Sequence, residues 1–302
     1  MREVVRAVEE CFRAQASSKA VNSPRSRSVV PGSRLNVMHA SLSYLGRSGT
    51  KAYLSTEHGT RFVILLFDNK SGDLLSVMGA DFLGRFRTGA ASAVATKYLS
   101  GMKSFRLALA GSGRQALTQV LALKEVAKLE RVSVCSPTKE KREIFARDLS
   151  HKYGLETSAS DSVDEAFHTA EVGTTITSST EPFLTKESVE TIQHINLCGT
   201  NMPAHAEITP EAISLFDTVC VDDISQSRVE AGDLIMAASV GALSWEKVKE
   251  LKDLVASTLK PSGRTLFKSN GVAIEDVATA SLIYDSAMKN PDRYDTVFNF
   301  WK

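Results

Sequence analysis

The stretch FRLALAGSGRQA, at residues 105–116, decides the fold of this chain. Its apolar run, residues 105–110, leads directly into Gly-Ser-Gly, and apolar residues then recur at helical spacing up to residue 127. A strand, a glycine turn and a helix in this order make up the GxGxxA fingerprint of dinucleotide-binding proteins. The alternative is an ordinary glycine turn between a strand and a helix. The context of the fingerprint favours a dinucleotide site.

Each small residue of the fingerprint has its own physical role. Gly111 permits the tight turn, Gly113 lets the backbone approach a pyrophosphate, and Ala116 lets the helix pack close to the sheet. Amide groups at the start of the helix can then bind phosphate oxygens. The residues predicted to line the cofactor site are Gly111, Ser112, Gly113, Arg114 and Gln115.

The end of the second predicted strand, residues 132–135, bears on which nicotinamide cofactor binds. An NAD enzyme usually presents Asp or Glu there to the ribose hydroxyls, whereas this chain continues as SPTKEKR at residues 136–142. Ser136, Thr138 and Lys139 offer hydroxyl and basic groups that could bind a 2′-phosphate. The alternative is that the basic residues are the solvated face of a helix. We predict NADP(H), with NAD(H) as the other possibility.

Short apolar strands alternate with helices after the fingerprint. Strands are expected near residues 132–135, 174–177, 195–198 and 218–221, and helices near residues 139–152, 185–192 and 274–288. This alternation predicts an α/β fold with a doubly wound parallel sheet.

The residues before the fingerprint follow a different pattern. Apolar residues at helical spacing predict a first helix, which ends before Ser23-Pro24. Strands are expected at residues 51–54, 61–67 and 74–78, separated by turn sequences, and an Ala-rich helix at residues 88–99. We expect an antiparallel or mixed sheet in this part.

Composition and charge narrow the class of protein. A chain of 302 residues with 43% hydrophobic residues is long enough for about two domains. Its 36 basic and 35 acidic residues leave a formal net charge of +1, which provides no field to attract nucleic acid or a membrane. The charged first residues do not resemble a signal peptide, and no run of about 18 apolar residues occurs. We therefore expect a cytoplasmic protein.

The four cysteines and six histidines do not form a metal-ligand pattern. Cys135, Cys198 and Cys220 fall in short apolar runs, which is typical of buried, reduced thiols. Asp222 and Asp223 follow a predicted strand and are expected to cap a helix and anchor a loop. We predict no metal site.

Several motifs occur in one order along nearly the whole chain. They are RTGAAS at residues 87–92, GSGRQA at 111–116, TSSTEP at 177–182, VDD at 221–223 with EAGD at 230–233, and FKSNGVAIED at 267–276. In these motifs the chain resembles the ornithine cyclodeaminase/mu-crystallin family. The resemblance implies a Rossmann domain with bound NAD(H) or NADP(H), and a smaller α+β domain that binds the substrate and forms a homodimer. The implied Rossmann domain is 105–274, and the implied substrate-binding and dimerisation domain is 1–104 with 275–302.

The resemblance also implies roles for particular residues. Arg87 corresponds to the arginine that binds the substrate carboxylate, a role that suits its forked pair of donors. Lys51 corresponds to the family's lysine beside the substrate, and either Arg25 or Arg27 to its second arginine, with Arg25 slightly preferred. Without the resemblance, Lys51 and these arginines would be taken for surface charges. Further cofactor-binding residues implied by the resemblance are Thr88, Thr177, Ser178, Ser179, Asn270 and Gly271.

One position departs from the family's pattern. Its cyclodeaminases and related alanine dehydrogenases carry Asp in a G-x-D-x-P segment, whereas residues 199–203 read GTNMP. Asn201 cannot accept a proton in general acid–base catalysis, so ornithine cyclodeaminase activity is in doubt. The ketimine reductases of the family also lack this Asp, and reduction of a preformed C=N bond needs only a hydride and one proton.

These observations favour an NAD(P)-dependent oxidoreductase that transfers hydride at the Cα–N bond of a small amino or imino acid. A ketimine reductase or an amino-acid dehydrogenase would fit, with Lys51 and Asn201 as the residues near the reacting atoms. The alternatives are an ornithine cyclodeaminase, which forms L-proline and ammonia without net change of cofactor, and an NADP(H)-binding protein without turnover.

Overall fold

The structure, a computed structural model, describes residues 1–257 and 261–290. Its helices are α1 (Arg2–Ala16), α2 (Asp81–Leu99), α3 (Ala116–Leu123), α4 (Lys139–Tyr153), α5 (Val163–Phe167), α6 (Pro210–Ile213), α7 (Ile224–Glu230), α8 (Gly232–Ser239), α9 (Leu251–Ala256) and α10 (Ala273–Met288), with a 3-10 turn at Trp245–Lys247. Its strands are β1 (Ala20–Val30), β2 (Ser33–Leu42), β3 (Arg47–Thr56), β4 (Gly59–Asp68), β5 (Leu74–Gly79), β6 (Ser104–Ala110), β7 (Lys128–Cys135), β8 (Thr157–Ser160), β9 (Val172–Thr175), β10 (His194–Leu197), β11 (Thr218–Val221), β12 (Lys249–Glu250) and β13 (Thr265–Lys268).

Contacts divide the chain into two compact units. The parallel-sheet unit consists of Met1 with Thr88–Gly271, and the antiparallel-sheet unit of Arg2–Arg87 with Val272–Lys302, of which residues 291–302 lie outside the described residues. The first boundary falls within α2, earlier than the expected boundary at 104/105. From Thr88 onward α2 belongs to the parallel-sheet unit, and it packs so closely on α3 that a Cβ at Gly89 would lie 2.3 Å from the carbonyl oxygen of Thr118.

The parallel-sheet unit is built on one sheet with the strand order β12-β11-β13-β10-β9-β6-β7-β8 among the described residues. Every strand pair in it is parallel. The chain runs from β6 outward through β7 and β8, and then continues on the other side of β6 with β9. The strand order therefore reverses between β6 and β9, which is where open α/β sheets bind their ligands.

Both faces of this sheet are covered by apolar side chains. Along β6, Phe105, Leu107 and Leu109 belong to one buried cluster, while Ala108 and Ala110 belong to another. Strands that are buried on both sides read as continuous apolar runs, and this is why residues 107–110 show no alternation. The predicted α/β class with a doubly wound parallel sheet is confirmed.

One predicted helix in this unit is wrong. Residues 185–192 form turns, in which the Val189 N–H donates to the Thr185 carbonyl and the Ile192 N–H to the Val189 carbonyl. The Ser188 hydroxyl donates to Asp164, and the Ser188 N–H donates to the Thr185 hydroxyl. Serine and threonine side chains that bond the nearby backbone in this way compete with a regular helix.

The antiparallel-sheet unit contains a five-stranded meander in the order β1-β2-β3-β4-β5. Met38, Ala40 and Leu42 of β2 alternate with exposed residues and point to the face that α10 covers. Strands β1 and β2 were not predicted. Pro24 lies inside β1, which tolerates it because β1 is an edge strand and its register shifts between Ser23 and Ser26.

Among residues 1–257 and 261–290, no helix is both long enough and apolar enough to cross a membrane.

Candidate functional site

The glycine turn lies at the carboxyl edge of the parallel sheet. Gly111 follows β6 with a φ of 115°, and its N–H donates to the Cys135 carbonyl at 2.8 Å. A Cβ at Gly111 would lie 2.7 Å from the carbonyl oxygen of Ile176, so both the backbone angle and the space require glycine. At Gly113, by contrast, a Cβ would meet nothing within 4 Å. The open space beside Gly113 fits a group that approaches the backbone closely.

Helix α3 begins directly after this turn. The side chain of Gln115 at its N-cap makes no capping hydrogen bond. The amides of the first turn are therefore not capped by that side chain, and such amides attract phosphate oxygens. The Ser112 hydroxyl lies 2.9 Å from the Ser136 hydroxyl at the end of β7. The turn and the end of the second strand, both predicted to contact the cofactor, are thus adjacent.

The segment after β7 presents no carboxylate at the strand end. The predicted residue Lys139 is exposed in the first turn of α4, and Thr138 is the N-cap residue of that helix. Arg142 does not belong to a solvated helix face, because it is buried, donates to the Ser136 carbonyl at 2.9 Å and forms an ion pair with Asp161. Lys139 and Lys141 are therefore the exposed cations of this segment, whereas Arg142 holds the backbone of Ser136.

A buried glutamate that sequence reasoning missed joins the ends of β9 and β10. Glu207 Oε1 accepts from the N–H and hydroxyl of Thr177 at 3.0 and 2.6 Å, and Oε2 accepts from the Thr175 hydroxyl and the Gly199 N–H at 2.6 and 2.9 Å. Burial raises the pKa of Glu207 despite nearby Lys268. The carboxylate fixes the start of the predicted segment Thr177-Ser178-Ser179. A lone Glu between Ala206 and Ile208 was the signal in the sequence.

Lys268 at the end of β13 is the cation beside this glutamate. Its Nζ donates to Asp233 Oδ2 at 2.6 Å and to the Thr200 carbonyl at 2.8 Å, and its side chain is fully buried. Burial lowers the pKa of Lys268, but Asp233 and Glu207 outweigh that effect and the pKa is raised. Lys268 therefore stays charged and ties β13 to the loop that leads to Asn201.

Asn201 contacts another predicted residue, Asn270. Its Nδ2 donates to the Asn270 carbonyl at 3.3 Å. The backbone N–H groups of Asn270 and Gly271 donate to one oxygen of Asp222 at 2.7 and 2.6 Å, and the Asp223 side chain caps α7. Asp222 and Asp223 are thus a loop anchor and a helix cap, as expected.

In the antiparallel-sheet unit, Lys51 points from β3 into a buried cluster of charges. Its side chain is only 3% exposed, and its Nζ lies 2.8 Å from Asp276 Oδ1. The rings of Tyr53 and Phe62 lie 5.9 and 5.5 Å from the same Nζ. Burial lowers the pKa of Lys51 to about 8, although Asp276 opposes this shift. Lys51 is therefore not a surface charge, and its pKa lies near neutral pH, where proton transfer is effective.

Arg87 is held by two carboxylates at the start of α10. Its Nε donates to Asp276 Oδ1 at 3.0 Å, and its Nη1 donates to Glu275 Oε2 at 3.0 Å. Both acids are fully buried, and acidic residues suit the positive end of a helix. The sequence motif contained these two acids, but we inferred no role for them. They fix the plane of the guanidinium before any ligand arrives.

The structure gives different surroundings to the two candidate arginines of β1. Arg27 Nε donates to Asn36 Oδ1 at 3.1 Å on β2. The charge of Arg25 acts on the pKa of both Lys51 and Asp276, with a smaller effect than that of Arg87. The unit therefore brings Arg25 close enough to influence the Lys51–Asp276 pair, and it ties Arg27 to the neighbouring strand.

The two glycines of the turn make separable predictions. Gly111→Ala should lower the free energy of unfolding by about 1–3 kcal/mol, because the residue would be strained and its Cβ would strike Ile176. Gly113→Ala should leave the melting temperature nearly unchanged, yet weaken NAD(P)H binding at least about tenfold, since its Cβ would enter the open space. Thermal unfolding without cofactor and fluorescence titration with NAD(P)H measure the two effects. Wild-type affinity in Gly113→Ala would contradict the assignment of the turn.

Comparison with known proteins agrees with this geometry. Residues 1–290 match the model of the ornithine cyclodeaminase/mu-crystallin family. The ketimine reductase mu-crystallin of Macropus fuliginosus is 34% identical over 246 residues, which are 80% of this chain and 73% of the relative. The structure of Thermococcus litoralis Delta(1)-pyrroline-2-carboxylate reductase with NADH and L-proline matches with a TM-score of 0.89 at 30% identity, and covers 96% of this chain and 94% of that one. An archaeal alanine dehydrogenase dimer with bound NAD matches with a TM-score of 0.89 at 28% identity, and covers 99% and 94%. This chain belongs to the ornithine cyclodeaminase/mu-crystallin family.

Proposed function

We propose that this protein is an NAD(P)-dependent oxidoreductase that transfers hydride at the Cα–N bond of a small amino or imino acid, as a ketimine reductase or an amino-acid dehydrogenase. The observation that carries the proposal is the buried cluster around Lys51, in which a lysine with a lowered pKa lies beside an arginine fixed by two carboxylates. The named relatives include a ketimine reductase, a pyrroline-carboxylate reductase and an alanine dehydrogenase, which act on such bonds.

The parallel-sheet unit would hold the cofactor. The left-handed Gly111, the space beside Gly113 and the start of α3 fit a pyrophosphate. The ribose would lie at Ser136, Thr138 and Lys139, where the lack of a carboxylate favours a 2′-phosphate and hence NADP(H). The other proposed cofactor-binding residues are Ser112, Arg114 and Gln115 from the fingerprint and, from the resemblance, Thr88, Thr177, Ser178, Ser179, Asn270 and Gly271. When bound, the nicotinamide supplies or accepts the hydride.

The antiparallel-sheet unit would bind the substrate. Arg25, Lys51 and Arg87 supply basic side chains near one another, and Glu275 and Asp276 hold Arg87 in position. A substrate carboxylate would bind to these basic side chains, since a guanidinium can meet both of its oxygens. Lys51 would then give the imine nitrogen its proton. Arg27 remains the alternative to Arg25 as the second carboxylate ligand.

Asn201 would be a neutral residue near the reacting nitrogen. Its amide donates to the Asn270 carbonyl, and an amide cannot exchange protons with an amine. Ornithine cyclodeaminase chemistry requires proton transfer at two nitrogens, so this side chain favours simple reduction or dehydrogenation. Cyclodeamination of L-ornithine to L-proline and an NADP(H)-binding protein without turnover remain the second and third hypotheses.

The function test follows the absorbance of the reduced nicotinamide. We expect purified protein to consume NADPH steadily with at least one cyclic imine carboxylate, or with a 2-oxo acid plus amine. NADH should act more weakly, because the end of β7 has no carboxylate to accept a hydrogen bond from the ribose 2′-hydroxyl. A flat trace with all of these substrates would reject the proposal. Ammonia release from ornithine with catalytic NAD(P)⁺ would then identify a cyclodeaminase. Tight NADPH binding without any turnover would identify an NADP(H)-binding protein. Tighter binding of NADH than of NADPH would overturn the cofactor preference.

Replacing Arg87 by Lys tests its role in substrate binding. A lysine cannot offer two parallel donors, so we expect the KM for the imino acid to rise about 10-fold to 100-fold. The matched control is Arg13→Lys, an exposed arginine of α1 that pairs with Glu9 and Glu10 and should leave KM unchanged. An unaltered KM in a folded Arg87→Lys variant would remove Arg87 from the site.

The outer face of the antiparallel sheet supports the proposed homodimer. Leu35 pairs with Leu54 across β2 and β3, and Leu65 pairs with Val77 across β4 and β5, on the face opposite α10. Leu35, Leu54 and Val77 are 41%, 43% and 52% exposed. Exposed apolar residues on one face of a sheet mark an interaction surface, and the archaeal alanine dehydrogenase is a dimer. We therefore propose that a second copy of this chain covers it.

Sedimentation equilibrium tests the dimer. The wild type should have the mass of two chains, and Leu54→Lys should shift it towards one, because the variant would bury a charge at the interface. Ile144→Lys, at a similarly exposed apolar residue of α4, should leave the dimer intact. A monomeric wild type would reject the proposal.

A further inference from the structure

One oxygen of Asp276 holds both buried cations of the antiparallel-sheet unit. Its Oδ1 lies 2.8 Å from Lys51 Nζ and 3.0 Å from Arg87 Nε, and the residue is fully buried. Its Oδ2 is also buried and has no hydrogen-bond partner among the described residues. An interior carboxylate oxygen without a donor is costly, and buried ion pairs often add little stability. These features point to a role of Asp276 in the chemistry, beyond its compensation of the two buried cations.

We propose that Asp276 is a positioning residue of the reaction, which orients the Lys51 ammonium and keeps it protonated until the imine nitrogen takes its proton. This inference rests on the proposed function, because it names the partner of the proposed proton donor. As hydride adds to the imine carbon, the π electron pair of C=N moves to nitrogen, and nitrogen takes a proton from Lys51. The N–H electron pair stays on the Lys51 amine, which water then reprotonates.

The charges that face Lys51 determine how far its protonation depends on Asp276. They are Asp276 and Glu275 on α10, Arg87 on α2 and Arg25 on β1, while the buried Cys11 thiol of α1 has a raised pKa and stays neutral. Burial, Arg87 and Arg25 all lower the pKa of Lys51, and Asp276 opposes them. Lys51 therefore depends on Asp276 to keep its proton near neutral pH.

The sign of the pH dependence follows from this balance. Only the ammonium form of Lys51 can donate, so kcat/KM for imine reduction should fall as pH rises through the pKa of Lys51, about 8. Asp276→Asn removes the opposing charge and should shift this alkaline limb to lower pH by about 1–3 pH units. The substrate has its own pKa, but this is the same in both assays and cannot produce a shift between variants.

Two further variants distinguish an effect of the Asp276 charge from a structural effect of the substitution. Asp276→Glu keeps the negative charge and should restore the alkaline limb to within about half a pH unit of the wild type. Glu275→Gln removes the neighbouring carboxylate, which accepts from Arg87, so it should raise KM and shift the limb by less than Asp276→Asn does. A purely structural role for Asp276 would lower activity at all pH values without moving the limb.

A direct measurement of Lys51 makes the test independent of turnover. Competitive acetylation of the cofactor-free protein across pH, read for Lys51 by mass spectrometry, gives its pKa. We expect that pKa to coincide with the alkaline limb of the wild type, and to fall together with it in Asp276→Asn. If Asp276→Asn does not fold, the wild type alone provides the test. A difference above about one pH unit between the pKa of Lys51 and the alkaline limb of kcat/KM would overturn the inference.

The outcomes separate this inference from the proposed function. An active wild type whose limb or Lys51 pKa stays fixed in folded Asp276→Asn rejects the inference alone. A wild type that consumes no imine rejects the proposed function, whatever the acetylation shows.

Discussion

Buried charge, and its compensation within hydrogen-bond distance, is the constraint on which both units depend. Three cations are buried: Lys51 and Arg87 in one unit, and Lys268 in the other. Burial of an isolated cation is so unfavourable that the group would lose its proton or move to the surface. Each cation stays buried because it forms an ion pair with a carboxylate, which is Asp276 for Lys51 and Arg87 and Asp233 for Lys268. Breaking one of these ion pairs would leave an uncompensated buried charge. The backbone segments that carry the two paired side chains are therefore held in position relative to each other.

The two clusters use this constraint for different ends. Around Lys268 the carboxylates raise the lysine pKa, so the cation is permanent and joins strand ends and loops at the carboxyl edge of the parallel sheet. Around Lys51, burial outweighs the carboxylate and the pKa falls to about 8. The same kind of pairing therefore holds strand ends together at Lys268, whereas at Lys51 it leaves the group that we propose as the proton donor. Only the balance between desolvation and nearby charge distinguishes them.

The carboxyl edge of the parallel sheet shows how such ties position loops. Strands β6, β7 and β9 end level with one another, since Ala110 pairs with both Cys135 and Thr175. Glu207 then accepts four hydrogen bonds from the ends of β9 and β10. A carboxylate with four donors orders segments far apart in sequence more firmly than neutral contacts would. Loops proposed to contact a cofactor are thus held by one buried side chain.

The sequence by itself determined the parallel sheet, the glycine turn at residues 111–113 and the family. These features are local: a strand, a turn and a helix follow one another within a short stretch, and only glycine adopts the φ of Gly111 without strain. The tertiary structure alone decided that Lys51 is buried, that Glu275 and Asp276 hold Arg87, and that Glu207 joins two strand ends. These pairings connect residues such as Lys51 and Asp276, 225 positions apart. Local propensity contains no information about which distant charges meet, because burial and compensation arise only when the chain is folded.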